Sequence, residues 1–106
     1  MAQGPEAKIV NKIIKKVNEL PMCKVEKNHG SQWGKPKLDL TGSVNGLMFQ
    51  LEVKAPGKKP TPRQWGVIKE WQAVGVHAGW TDSVEDGLRF VETLRRRSCN
   101  ESYTED

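Results

Sequence analysis

The dipeptide Asn45-Gly46 stands between two β-prone runs, Leu38–Val44 and Leu47–Lys54, and constrains this chain more than any other feature. A two-residue type I′ hairpin loop needs positive φ at both central positions, and Asn-Gly meets that need well. With that loop in place Val44 pairs with Leu47, and the later pairs follow one residue at a time. Asp39 then falls opposite Glu52. Directly opposed side chains have Cβ atoms roughly 4.5–5.5 Å apart on one face of the sheet. Two carboxylates so placed repel, and a chain selected only for stability would avoid them. A divalent cation turns that repulsion into a binding site. Mg²⁺ prefers hard oxygen ligands and is often held by one or two carboxylates plus substrate phosphate.

Lys54 lies two residues beyond Glu52, so its side chain leaves the same face of the strand. An amine there can stabilise negative charge developing on a phosphate, or orient an attacking water. Leu47, Phe49, Leu51 and Val53 alternate toward the other face and a core. The strand is expected to have one apolar and one chemical face. Glu-x-Lys alone is common on solvated strands; the facing Asp39 sets this one apart.

The rest of the chain reads as alternating elements. Pro5 and Glu6 open a helix, with proline tolerated in the first turn and an acid suited to the helix dipole. Ile9, Val10, Ile13, Ile14 and Val17 form its apolar stripe, Lys8, Lys12, Lys15 and Lys16 fill the other side, and Pro21 stops it. A strand is expected over Met22–Asn28 and a loop over Gly30–Lys37. After the hairpin, Ala55–Pro60 is a loop, Thr61 an N-cap and Pro62 the first residue of a helix to about Val74, which Gly75 ends. That helix would carry Trp65, Ile68 and Trp71 on related faces. Val76–Trp80 reads as a short strand. Ser83 caps a last helix striped by Val84, Leu88, Val91 and Leu94, with Arg95, Arg96 and Arg97 at its end and a loose acidic tail over 98–106. The order is α-β-β-β-α-β-α, in one domain over 1–97.

Asp39 followed by Glu52-Val53-Lys54 matches the Asp…Glu-x-Lys core of the PD-(D/E)XK nuclease superfamily. The longer runs GKPKLDLTG (34–42) and LEVKAPGKKPTPRQ (51–64) resemble the VRR-NUC family, described as virus-type replication-repair nucleases. The resemblance spans about Glu6 to Val91. It implies an α/β (α+β) restriction-endonuclease-like fold with a mixed central sheet flanked by helices. It also implies catalytic roles for Glu6, Asp39, Glu52, Lys54 and Gln64. Asp39 and Glu52 would hold Mg²⁺ or Mn²⁺ with the Val53 backbone carbonyl, and Glu6 would approach directly or through water. Lys54 would position water and neutralise charge, and Gln64 would hold the water or the scissile phosphate. Family members often carry Pro-Asp directly, whereas Lys37 and Leu38 separate Pro36 from Asp39 here.

Charge agrees with a polyanionic partner without requiring one. The net charge is +4, and the tail ESYTED holds three of the 13 acids, so the body is more basic than the whole. Lys35, Lys58, Lys59 and Arg63 flank the expected site and could contact DNA phosphates. Four tryptophans, at 33, 65, 71 and 80, are many for one small core, and one could anchor a symmetric dimer. Small stand-alone members of the family resemble dimeric Holliday-junction resolvases, so the resemblance implies a homodimer acting on branched or nicked DNA. Cys23 and Cys99 form no metal or disulfide pattern and fit reduced thiols in a cytoplasmic protein. The first residues lack a long apolar run, and no stretch approaches a membrane span, so neither a signal peptide nor a membrane partner is expected. Two readings compete with a metal-dependent endonuclease: a DNA-structure-binding module that does not cut, and a protein-interaction domain using the tryptophans.

Overall fold

The computed structural model describes residues 4–28 and 38–103, with side chains described as far as 98. Seven elements follow in the expected order: α1 (Pro5–Asn18), β1 (Cys23–Lys27), β2 (Leu40–Val44), β3 (Leu47–Val53), α2 (Pro62–Ala73), β4 (His77–Thr81) and α3 (Val84–Tyr103). The strands form one sheet in the order β1-β2-β3-β4. β1, β2 and β3 are antiparallel neighbours, and β4 lies parallel to β3. A parallel pair cannot be closed by a tight turn; α2 makes the crossover.

The hairpin forms as its sequence demands. Asn45 and Gly46 have φ of 51° and 87°, and Val44 pairs with Leu47. Gly42 is required for a different reason. A Cβ there would lie 2.6 Å from the Phe49 ring and 2.5 Å from the Lys24 carbonyl.

Two apolar clusters cover the two faces of the sheet. On one face Ile9, Val10, Ile13 and Val17 of α1 and Val91 and Leu94 of α3 pack on Val25, Leu40, Val44, Phe49, Leu51 and Val53. On the other, Val67 and Ile68 of α2 meet Leu38, Ala78 and Trp80. Both faces of β3 are therefore closed, and Gln50 and Glu52 are buried along with the apolar residues. The expected chemical face is not a solvated one.

The last helix is longer than its sequence pattern suggests. α3 continues to Tyr103, past the Arg95–Arg97 end expected for that helix, and Ser98 accepts a hydrogen bond from Asn45 Nδ2 at 3.0 Å, tying that part of the helix to the hairpin turn. Trp65 and Trp71 are 39% and 36% exposed. The buried side of α2 is narrow, and Val67 and Ile68 fill it. No helix among the described residues is long and apolar enough to cross a membrane.

Candidate active site

The site grows from the end of the hairpin. The β2–β3 ladder closes at Leu40–Leu51, and one step further in the same register brings Asp39 opposite Glu52. Asp39 lies just outside its strand, and its Oδ2 accepts the Val53 N–H at 2.8 Å. Lys54 N–H donates to the Thr81 carbonyl at 2.8 Å. In a parallel ladder one residue bonds both neighbours of its partner, so the Val53 peptide groups face β2 instead. The Val53 carbonyl thus shares a side with the Asp39 carboxylate.

Glu52 is only 5% exposed. Burial first and the Asp39 charge second push its carboxyl up, Lys54 pulls against both, and the balance lies at about 7. Facing carboxylates and loss of water together thus make the proton hard to remove in the absence of another cation.

Helix α2 closes the other side. Thr61 forms a capping box: Gln64 N–H donates to Thr61 Oγ1 (3.2 Å), and Thr61 N–H donates back to Gln64 Oε1 (2.9 Å). The same Gln64 Oε1 accepts from Lys54 Nζ at 3.2 Å, while Gln64 Nε2 donates to Glu52 Oε2 at 3.0 Å. One amide therefore joins the helix start, the amine and the buried carboxylate. Trp65, the next residue, stands edge-on to Trp80 with ring centroids 6.3 Å apart. Trp80 pairs in register with Glu52, so this contact walls the site on the β4 side.

The basic loop follows β3 directly. Gly57 N–H donates to Asp82 Oδ2 at 3.1 Å, and Lys58 N–H to the Ala55 carbonyl at 2.9 Å. Lys58, Lys59 and Arg63 are exposed beside the site. Lys35 and Pro36 fall outside the described residues, as do Trp33 and the last three residues of the tail.

Glu6 is not drawn into this cluster. Asn18 Oδ1 accepts the Val25 N–H at 2.8 Å, and Ile13 reaches the Gly87–Thr81 region, so α1 points its start toward the Glu52 end of the sheet. But α1 packs on the face opposite α2, and Glu6 is exposed in its first turn. Among the described residues no three His, Cys, Asp or Glu side chains gather closely enough to share a metal ion. Asp39, Glu52, Lys54 and Gln64 are brought together; Glu6 stands apart from them. Two contributors had little signal in the sequence. Asn28 holds the backbone around Asp39, and Asp82 holds the basic loop; a single polar residue at a strand end gives no pattern to read.

A solved structure titled VRR_NUC domain is similar to this chain with a TM-score of 0.71, covering 85% of this chain and 97% of its own length at 20% identity. The fold is that of a VRR_NUC domain. No family model matches the sequence, and no curated protein does. In the VRR_NUC fold seen here, the hairpin, the strand end and the capped helix converge on one edge of the sheet. The donor set there fits Mg²⁺ or Mn²⁺: two facing carboxylates, one of them buried with its proton held up to about 7, and a peptide carbonyl on the same side, all hard oxygens.

Proposed function

We propose that the chain is a Mg²⁺- or Mn²⁺-dependent endodeoxyribonuclease that hydrolyses phosphodiester bonds in branched or nicked DNA. The observation that carries this reading is the buried Glu52 facing Asp39 and tied through Gln64 to Lys54. A stable scaffold gains nothing from that pair, and a mere DNA binder has no use for two facing carboxylates.

Asp39, Glu52 and the Val53 carbonyl are the residues that would hold the ion; Glu6, which stands apart from them, is left out of that set. The bound ion would supply Lewis-acid polarisation of the phosphate and a more acidic water. Lys54 presents its ammonium to negative charge developing on the phosphate. Gln64 acts as a positioning residue, since its carbonyl is shared by Thr61 and Lys54 and its amide holds Glu52. Lys58, Lys59, Arg63 and Lys35 contribute salt-sensitive, sequence-independent contacts to the DNA backbone. The exposed Trp65 and Trp71 support a homodimer, whose paired sites would suit a substrate with two similar strands. The cytoplasm, where both DNA and reduced thiols are found, is the natural compartment.

The test is cleavage of branched, nicked and duplex DNA with Mg²⁺, Mn²⁺ or EDTA by wild type, Glu52→Ala and Lys54→Ala. Metal-dependent cutting lost in both variants is expected. Cutting indifferent to metal, or retained in the variants, overturns the enzyme reading. Structure-selective binding without cutting supports the non-catalytic DNA-binding module instead. Light scattering coupled to size exclusion tests the dimer, and a monomer at all concentrations removes it.

A further inference from the structure

Asp39 sits one residue beyond the last β2–β3 ladder pair, where no strand hydrogen bond to β3 fixes its backbone. Its position is set from the other side. Asn28 follows the last β1–β2 pair, Lys27–Leu40, so the same register places it opposite Asp39. The Asn28 N–H donates to the Asp39 carbonyl at 2.8 Å. Its side-chain Nδ2 donates to the Leu38 carbonyl at 2.8 Å and to Thr41 Oγ1 at 2.7 Å. One residue therefore grips the chain before, at and after Asp39. Leu38 is 1% exposed, which anchors the same segment from beneath. Asn28, Asp39 and Glu52 form a row across three strands, with the Asp39 carboxylate between a backbone clamp and the Val53 N–H.

We propose that Asn28 is a positioning residue for Asp39, holding the carboxylate pair in its ion-binding arrangement before any ion arrives. This rests on the metal-site reading above. The mechanism is mechanical. Facing carboxylates repel, and on the β3 side the Val53 N–H alone is seen to hold the Asp39 carboxylate, while the Asp39 backbone lies beyond the last ladder pair. A clamp on the flanking carbonyl and hydroxyl keeps Asp39 from swinging away from Glu52. Partners of this kind, which orient the ligands of a metal, typically change metal affinity about 10–100-fold when removed.

The experiment is a calorimetric Mn²⁺ titration of wild type, Asn28→Ala, Thr41→Val, Thr41→Ser and Glu52→Ala, with thermal midpoints measured in EDTA. Asn28→Ala is expected to weaken Mn²⁺ binding by about 10-fold or more. Thr41→Val removes both hydrogen bonds between the Thr41 hydroxyl and the Asn28 amide and is expected to weaken Mn²⁺ binding about fivefold; Thr41→Ser keeps the hydroxyl and binds as wild type. A merely structural role for Asn28 lowers the midpoint and leaves the Mn²⁺ affinity of the folded protein unchanged, which overturns the proposal. If Asn28→Ala does not fold, Thr41→Val decides: affinity equal to wild type overturns it. Glu52→Ala separates this proposal from the one beneath it. Weakened binding in Glu52→Ala with wild-type binding in folded Asn28→Ala removes only the role of Asn28. Equal binding in wild type and Glu52→Ala overturns the metal site itself and the role of Asn28 with it.

Discussion

The two faces of the sheet do opposite work. The face under α1 and α3 is mostly apolar, with Ile13, Val17, Val44, Phe49 and Leu51 wholly buried. The face under α2 has a smaller apolar patch and a polar row in which Asn28, Asp39, Glu52, Lys54 and Gln64 are joined by hydrogen bonds or direct opposition. Burial is similar on both sides of β3, but its consequence differs. Apolar burial stabilises the fold, whereas burying Glu52 beside Asp39 costs stability until a cation offsets the charge. Together they show a core face strong enough to carry a strained site on its other side.

The contrast can be broken most sharply by paired substitutions. Glu52→Ala or Lys54→Ala should lower DNA cleavage by about 10²–10³-fold in single-turnover assays while the protein stays folded. Phe49→Ala, one strand position class away, should do the reverse. It should cost about 3–5 kcal/mol in urea unfolding, since Phe49 is fully buried and stacks edge-on to Phe90. A comparable stability loss in Glu52→Ala would erase the difference between the faces.

The proton on Glu52 gives the next largest effect. Its carboxyl sits at about 7 in the folded protein against an ordinary value of 4.5. The folded state therefore keeps a proton that the unfolded chain has released between those values. Stability of the metal-free protein should fall as pH rises through that window, by about 3 kcal/mol once pH exceeds 7. Glu52→Gln should be more stable than wild type at pH 8 in EDTA, with the gain gone at pH 4.5, as read by urea unfolding at each pH. A wild-type stability that stays level from pH 5 to 8 would mean that the pair is not strained.

Two smaller effects sharpen the polar side. Thr61→Ala should cost about 1 kcal/mol by removing the cap of α2, and Thr61→Ser should restore it. Because Gln64 serves both the cap and Lys54, cleavage should fall in Thr61→Ala at temperatures where the protein is still folded. Lys58→Ala with Lys59→Ala should weaken binding to all DNA sequences alike and reduce the salt slope by about 1 per lysine. A slope equal to wild type would take the loop out of the DNA contact.

Much of this was legible along the chain because it is local or periodic. Asn45-Gly46 determined its own turn, and the turn determined the β2–β3 register, since side chains alternate with a period of two and a slip would expose Phe49 and Leu51. The Asp39–Glu52 opposition follows from that register alone. Thr61 and Pro62 likewise declare the start of a capped helix. What the tertiary structure decided lies across elements. Whether the Glu52 face is wet or closed depends on where α2 lands, and a narrow Val67–Ile68 stripe does not announce that. The placement of Glu6 depends on which face α1 covers. The exposure of Trp65 and Trp71 depends on how α2 is rotated. The clamp by Asn28 depends on a third strand joining the hairpin in one register. Each is a packing outcome between segments distant in sequence, whereas a turn, a cap and a strand alternation are set by neighbours along the backbone.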